Sequence, residues 1–155
     1  MEGMASPEIR PMEPSELESV VRMWRRSRDD AQPWLEERMG RSPDDDLRHF
    51  RDVVAREDDV WIALAAGRLA GLLALRPGHV DHLYVEPALQ KRGIGSALLD
   101  HAKRLCPGGL ALYTHQRNVR ARAFYERRGF RAVEFGTSPA PENEPDVRFE
   151  WSPGA

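Results

Sequence analysis

The hydrophobic and polar positions divide the middle of the chain into short apolar runs that are separated by turns. Residues 60–65 and 69–75 are β-prone runs, and the three residues between them include Gly67, which is the pattern of a β-hairpin. Residues 79–85 continue the pattern after a turn at Gly78. The sequence therefore predicts three consecutive strands in this part of the chain.

The first third of the chain favours helices. After a short strand predicted over residues 8–12, a helix is predicted to start at Pro14, with apolar residues recurring at helical spacing. Residues 29–40 are ambiguous and compatible with a second short helix. Ser42 has the features of an N-cap, because a proline and acidic residues follow it, and an apolar stripe continues to Val54.

The second half of the chain alternates between helical and strand patterns. Hairpins followed by alternating strands and helices are typical of a mixed sheet with helices on both faces. We therefore expect an α/β (α+β) fold with six or seven strands, most of them antiparallel. The predicted elements here are a helix over residues 93–106, a strand over 110–114, a helix over 119–128, a strand over 130–135, a loop over 136–145 and a strand over 147–151.

The composition fits one globular domain over residues 1–155, in which residues 1–7 are expected to be disordered or tag-like. The hydrophobic fraction of 41% is ordinary, and the formal net charge of −2 gives no basic field that would attract nucleic acid or an anionic membrane. Cys106 is the single cysteine, so an intrachain disulfide is excluded. Because the sequence shows no membrane span and no secretory signal, we expect a cytoplasmic protein.

A glycine-containing turn between a strand and a helix is the main candidate for chemistry. The predicted strand ends at Val85, and Gly93 and Gly95 open the amphipathic helix that follows. Free N–H groups at a helix N-terminus, together with the helix dipole, favour phosphate, and glycines let a ligand approach the backbone closely. A turn that binds nothing can have the same pattern, so this motif alone does not decide between the two interpretations.

Two motifs together resemble the signatures of the GNAT superfamily of N-acetyltransferases. The residues from Gln90 to Gly95 match the pattern Gln/Arg-x-x-Gly-x-Gly/Ala, which marks the diphosphate-binding turn of that family. One strand later, Asn118 is followed by an alanine, a Phe-Tyr pair and a Gly-Phe pair, as in the family's second signature. The resemblance covers residues 60–135, whereas the N-terminal third follows the family in the order of its elements.

The dinucleotide-binding fingerprint Gly-x-Gly-x-x-Gly does not fit the same turn. Its third glycine position is occupied by Leu98, three strands precede the turn, and no acidic residue follows at the end of the next strand. The sequence therefore argues against a Rossmann-type dinucleotide site.

The resemblance implies a sheet that is splayed in its middle and binds acetyl-CoA in the gap. In the family, the sheet parts beside the strand that ends here at Val85, and the pantetheine arm pairs with backbone groups near Leu83 and Val85. The Val85 N–H is the implied donor to the thioester oxygen, where it would stabilise the oxyanion. No metal is implied. The implied cofactor-binding residues are Leu83, Val85, Gln90, Lys91, Arg92, Gly93, Ile94, Gly95, Ser96, Asn118 and Tyr125.

The resemblance also implies how protons move during direct acetyl transfer. Tyr125 matches the tyrosine that donates a proton to the thiolate leaving group in many family members. The base that deprotonates the amine often lies on the strand of residues 79–85, where alternation places His79, Asp81 and Leu83 on one face. His79 and Asp81 are therefore candidates, beside a water chain. His82 points to the opposite face unless a bulge changes the register.

We therefore expect an N-acetyltransferase that acts on a primary amine of a small molecule or a protein. His115 ends the strand beside the gap, and the acidic residues 142–146 could favour a cationic amine, although a solvated loop is the simpler interpretation. Family members often form dimers, so the resemblance implies a homodimer as one assembly. The alternatives are a non-catalytic acyl-CoA-binding module and nucleic-acid binding through arginines 117–131, which the net-acidic composition disfavours.

Overall fold

Seven strands form one sheet in the computed structural model of the chain, which describes residues 6–154. They are β1 (Glu8–Pro11), β2 (Asp59–Ala65), β3 (Arg68–Arg76), β4 (His79–Val85), β5 (Leu110–His115), β6 (Arg131–Thr137) and β7 (Pro145–Trp151). Their order in the sheet is β1-β2-β3-β4-β5-β7-β6, and all neighbours are antiparallel except β4 and β5. The predicted mixed, mostly antiparallel sheet is confirmed. Residues 1–5 of the segment predicted to be disordered or tag-like lie outside the described residues.

Six α-helices occur within residues 6–154, and none of them is long and apolar enough to cross a membrane. The ambiguous residues 29–40 form the end of the first helix and the whole of the second. Ser42 caps the third helix, because its Oγ accepts a hydrogen bond from the Asp45 N–H at 3.0 Å. The helices are α1 (Leu17–Ala31), α2 (Pro33–Met39), α3 (Pro43–His49), α4 (Ala55–Glu57), α5 (Ile94–Leu105) and α6 (Val119–Arg127).

The sheet is covered on both faces, and each face has its own apolar core. Alternation along β3 sends Leu73 and Leu75 to the face of α5 and α6, and Leu72 and Ala74 to the face of α1 and α3. Burial on both faces explains why β3 is a continuous apolar run rather than an alternating one. The first core includes Leu98, Leu112, Tyr125 and Phe149, and the second includes Val20, Trp24, Phe50 and Ile62.

The sheet opens between β4 and β5. The two strands pair at His79–Ala111 and Val80–Leu112, and their pairing ends there. Beyond this point β5 follows β7, with which it pairs as far as His115 and Asp146. The remaining length of β4, from Asp81 to Val85, therefore borders a gap, which is the splay that the resemblance implied.

A β-bulge in β4 changes which side chains share a face. Leu75 of β3 pairs with Val80, but the preceding residue, Ala74, pairs with His82, so Asp81 is an extra residue in β4. Beyond the bulge, Leu83 lies on the α5 face, and His82 lies on the α1 face beside Trp24. The prediction that His79, Asp81 and Leu83 share one face is wrong, because it assumed uninterrupted alternation.

Gly71 lets α5 lie close to β3, and its replacement tests this packing. A Cβ at position 71 would lie 2.9 Å from Leu98 Cδ1 and 3.0 Å from the Tyr84 carbonyl oxygen. Because the backbone of β4 cannot yield, we expect Gly71→Ala to lower the free energy of unfolding by about 2 kcal/mol.

The measurement is urea unfolding followed by circular dichroism. Gly108→Ala is the matched control, because a Cβ at Gly108 would meet nothing within 4 Å. Equal stability of the two variants would contradict the proposed close packing.

Candidate active site

A cavity of about 420 Å³ lies beside the end of β4 that borders the gap. Its wall combines the end of β4, the turn that follows, the first turn of α5 and one side of α6. Arg92, His79 and Asp81 lie outside the cavity wall as residues 6–154 define it. The predicted residues in the wall are Leu83, Val85, Gln90, Lys91, Gly93, Ile94, Gly95, Ser96, Asn118 and Tyr125.

The glycine turn places unpaired N–H groups at the cavity. Gly93 is the N-cap of α5 and has φ 81°, a left-handed conformation that glycine adopts without strain. The first hydrogen bond of α5 runs from Ala97 N to Gly93 O, so the preceding N–H groups at the start of the helix are available to a ligand. The turn therefore provides the helix N-terminus that an anion requires.

Gly95 allows this helix end to approach α6 closely. A Cβ at position 95 would lie 3.2 Å from Phe124 Cζ and 3.5 Å from Val85 Cγ2. The second glycine of the motif is thus needed for close packing between α5, α6 and β4, which together narrow the cavity around a ligand.

Beyond Val80, the edge of β4 that borders the gap is not paired with another of the described strands. Glu86 N donates to Ala70 O at 2.8 Å, so Glu86 faces β3, and alternation turns the peptide groups of Leu83 and Val85 towards the gap. The Val85 carbonyl oxygen accepts hydrogen bonds from Ser27 Oγ at 3.0 Å and Gln90 Nε2 at 3.4 Å. Gln90 therefore connects the turn to the end of β4, and Ser27 of α1 binds the same carbonyl oxygen from the other face of the sheet.

Tyr125 lines the cavity and is 8% exposed, with its ring 5.6 Å from that of Phe130. Burial raises the pKa of Tyr125 above its usual value, and the nearby Tyr84 adds to the shift. Burial likewise raises the pKa of Tyr84 to about 12. Both phenols in the cavity wall therefore remain protonated at neutral pH and can donate hydrogen bonds. Asn118 caps α6 by accepting from Ala121 N at 3.1 Å.

Arg128 is a part of this site that sequence reasoning missed. Its Nε and Nη2 donate to Ser96 Oγ at 2.9 and 2.5 Å, and its guanidinium lies 3.9 Å from the centre of the Phe124 ring. Because the two donors occupy the lone pairs of the hydroxyl, the Ser96 O–H is left to donate towards the cavity. The sequence gives little indication of this contact, because it contains many arginines and because α5 and α6 come together only in the folded protein.

The role of Arg128 is testable through cofactor affinity. We expect Arg128→Gln to raise the dissociation constant for acetyl-CoA about tenfold, because it removes a positive charge and releases the Ser96 hydroxyl at the helix N-terminus. Isothermal titration calorimetry measures the change. Arg131→Gln, at an exposed position of β6, is the control and should bind like the wild type. Unchanged affinity in Arg128→Gln would remove Arg128 from the site.

The candidate bases lie beside the bulge, and the structure separates them. Asp81 Oδ2 is 3.6 Å from His82 Nε2, whereas His79, at the start of β4, is the cross-strand neighbour of Arg76 in β3. Burial lowers the pKa of His82 to about 4, so its imidazole is neutral at pH 7. The pKa of Asp81 is also lowered: burial opposes ionisation, but a hydrogen bond from Asp58 and nearby positive charges outweigh it.

The acidic loop before β7 contacts α2 through the buried carboxylate of Glu144. Glu144 is buried and accepts from Trp34 Nε1 at 3.3 Å, Arg38 Nη2 at 3.0 Å and Arg117 Nε at 3.1 Å. Trp34 thus orders the loop between β6 and β7 rather than packing in a core. His115 Nε2 lies 3.6 Å from Glu142 Oε1 at the same place. The interpretation of a freely solvated loop does not describe Glu144.

Comparisons with known proteins agree with the geometry. The model of the Acetyltransferase (GNAT) family matches residues 17–130. The peptidyl-lysine N-acetyltransferase YjaB of Salmonella typhimurium is 29% identical over 126 residues, which are 81% of this chain and 83% of that protein. The peptidyl-lysine N-acetyltransferase YiaC of Escherichia coli is 28% identical over 127 residues, 81% of this chain and 84% of that protein.

A solved structure has the same fold. The PaiA N-acetyltransferase of Thermoplasma acidophilum in complex with coenzyme A superimposes with a TM-score of 0.70 at 22% identity, over 96% of this chain and 99% of that chain. This chain belongs to the GNAT family. It is an N-acetyltransferase, which transfers the acetyl group of acetyl-CoA to a primary amine.

Proposed function

We propose that the amine acetylated by this enzyme is the side chain of a lysine in a protein. The support is that two relatives aligned over about four fifths of the chain, YjaB and YiaC, are named peptidyl-lysine N-acetyltransferases. The observation that carries the catalytic part of the proposal is the cavity beside the gap of the sheet, which joins the glycine turn to Tyr125.

The proposed cofactor position follows from the groups that border this cavity. The diphosphate lies on the N–H groups of residues 91–96, where the dipole of α5 favours negative charge. The pantetheine arm then runs along β4 and pairs with the peptide groups of Leu83 and Val85, in the place of a missing strand. The Val85 N–H is the proposed donor to the thioester oxygen, with Leu83 N–H further along the same edge.

In the proposed mechanism, Tyr125 is the general acid. Burial raises the pKa of the Tyr125 phenol, and a thiolate that forms in the same buried place is made more basic by the same effect. The proposed base is a water chain that leads from the amine to Asp81 or His79, because neither side chain lies in the cavity wall as residues 6–154 define it.

The acceptor class is tested by following CoA release with a thiol reagent. Lysine-containing peptides, the same peptides with acetylated lysine, and small amines such as a polyamine are compared at equal concentration. We expect turnover with the unmodified peptides, and mass spectrometry should locate the acetyl group on lysine. Preference for the small amines would contradict the protein-lysine proposal, and hydrolysis alone would contradict amine transfer.

A further inference from the structure

A buried hydroxyl group of α1 is bonded to the end of β4. Ser27 is 1% exposed, and its Oγ donates a hydrogen bond to the Val85 carbonyl oxygen at 3.0 Å. A serine inside a helix often bonds to the carbonyl group one turn earlier in its own helix. Here the hydroxyl proton is directed to another element, because the other acceptor within reach, the Met23 sulfur at 3.4 Å, is a weak one. The Ser27 hydroxyl therefore connects α1 to the strand that borders the gap.

The peptide group between Val85 and Glu86 is held from two sides. Its N–H, which belongs to Glu86, donates to the Ala70 carbonyl oxygen of β3 at 2.8 Å. Its carbonyl oxygen, which belongs to Val85, accepts from Ser27 Oγ and, at 3.4 Å, from Gln90 Nε2. Because a carbonyl oxygen has two lone pairs, these two donors satisfy it. The orientation of this peptide group is thus set by β3, α1 and the turn after β4.

The Val85 carbonyl group lies on the same edge of β4 as the Val85 N–H. In an antiparallel pair, the N–H and the C=O of one residue point to the same side of the strand. Since Glu86 bonds to β3, both polar groups of Val85 turn away from β3 and towards the gap, where the pairing of β4 with β5 has ended at Val80. Ser27 and Val85 both line the cavity of the candidate active site. The oxygen that Ser27 contacts is therefore next to the N–H proposed to bind the thioester oxygen.

A carbonyl oxygen beside an oxyanion donor opposes the reaction unless its charge is offset. As the amine attacks, negative charge develops on the thioester oxygen, and dipoles already aimed at that place stabilise it. The partial negative charge of a neighbouring carbonyl oxygen repels the developing charge, and the repulsion is stronger where water is excluded. A hydroxyl group that donates to this carbonyl oxygen brings its positive end close and reduces the repulsion.

We propose that Ser27 is a positioning residue for acetyl transfer, which holds the Val85 carbonyl group and offsets its negative charge beside the thioester oxygen. This inference rests on the proposed function of the Val85 N–H as the donor to that oxygen. Ser27 acts through the Val85 carbonyl group and exchanges no proton with the amine or the thioester. Its effect is largest in the transition state, where the oxygen carries negative charge, so Ser27 influences kcat more than the binding of acetyl-CoA.

The test compares Ser27→Ala with Ser19→Ala. Both changes remove one hydroxyl group from α1, but Ser19 is exposed and lies outside the wall of the cavity as residues 6–154 define it. Alanine is smaller than serine and favours a helix, so both variants should fold. For Ser27→Ala we expect kcat to fall about tenfold with the KM for acetyl-CoA within about twofold, because Gln90 still donates to the carbonyl oxygen. Ser19→Ala should have wild-type values, and wild-type kcat in Ser27→Ala would overturn the proposal.

A third variant separates the effect on the carbonyl group from looser packing of α1 on β4. Arg26, the neighbour of Ser27, is 54% exposed and forms an ion pair with Glu86, in which Nη2 lies 2.6 Å from Oε1. Arg26→Gln weakens this contact between the two elements but leaves the Ser27 hydroxyl in place. We expect its kcat to stay within about twofold of the wild type, because exposed ion pairs contribute little. An equal loss of kcat in Arg26→Gln and Ser27→Ala would overturn the proposal, because weaker attachment of α1 alone explains that result.

The thioester carbonyl stretch is a readout that does not depend on turnover. Acetyl-CoA labelled with ¹³C at the acetyl carbonyl group is bound to each protein without an amine, and the infrared difference spectrum against unlabelled acetyl-CoA isolates this vibration. We expect a lower frequency in the wild type than for a simple acetyl thioester in an aprotic solvent, and a smaller shift in Ser27→Ala, because the uncompensated carbonyl oxygen opposes polarisation of the thioester. A shift of full size in Ser27→Ala would overturn the proposal. Absence of a shift in the wild type would instead contradict the proposed function of the Val85 N–H.

Discussion

Replacing Tyr125 with phenylalanine is expected to lower kcat about 100-fold, because general acid catalysis contributes a rate factor of about this size. The affinity for acetyl-CoA should stay within about twofold, because binding does not need the hydroxyl. The ring packs among Phe124, Phe130 and Phe149, with centroid distances of 5.2, 5.6 and 6.2 Å, so phenylalanine fits the same space. Steady-state kinetics and calorimetry measure the two quantities.

Tyr113→Phe is the matched control for this prediction. Tyr113 is 51% exposed on β5, and it loses the same hydroxyl at a position outside the cavity wall. We expect its kcat to equal that of the wild type. If Tyr125→Phe kept full kcat, the thiolate would have to take its proton from another donor, for which Tyr84, in the wall of the same cavity, is the next candidate.

Replacing Asp46 with alanine should lower the free energy of unfolding by about 3 kcal/mol, because it leaves the buried guanidinium of Arg28 without its main partner. This is the largest loss of stability expected among the proposed variants. Arg28 is 3% exposed and donates through Nη2 to Asp46 Oδ2 at 2.5 Å, while Arg25 contacts the same oxygen. The remaining neighbours of Arg28 are the Trp24 ring at 4.1 Å and Glu36 at 3.6 Å. Thermal unfolding should show a melting temperature lower by roughly 8 °C.

Asp46 is also connected to the cavity. It holds α1 through Arg28, and the Ser27 hydroxyl of α1 donates a hydrogen bond to the Val85 carbonyl group. Asp44→Ala is the control, since Asp44 is exposed in the first turn of α3. It should change stability by no more than about 0.5 kcal/mol. Equal melting temperatures for the two variants would contradict this prediction, because they would mean that Arg28 finds a new partner without loss of stability.

Features that depend on neighbouring residues could be predicted from the sequence. The strand that ends at Val85, the start of a helix at Gly93 and the cap at Ser42 follow from local patterns of apolar, glycine and capping residues. Ten of the predicted cofactor-binding residues line the cavity, because a short turn between a strand and a helix brings most of them together without help from distant segments.

Features that depend on contacts between distant segments could not be predicted. The bulge at Asp81 accompanies a contact with Arg76 of β3, which also contacts Asp58 before β2, and a strand pattern does not reveal an extra residue. The Arg128–Ser96 contact joins two helices 32 residues apart in the sequence. The position of β7 between β5 and β6 also depends on strand pairing, which the periodicity of the sequence does not indicate.

The central claim is that the gap between β4 and β5 receives CoA, with its diphosphate on the first N–H groups of α5. A crystal structure of the complex with CoA tests this claim most directly. The account predicts diphosphate oxygens within hydrogen-bond distance of the amides of residues 91–96, and a pantetheine arm paired with Leu83 and Val85. CoA bound elsewhere on the protein, or a β5 that closes onto β4 as far as Val85, would contradict the account.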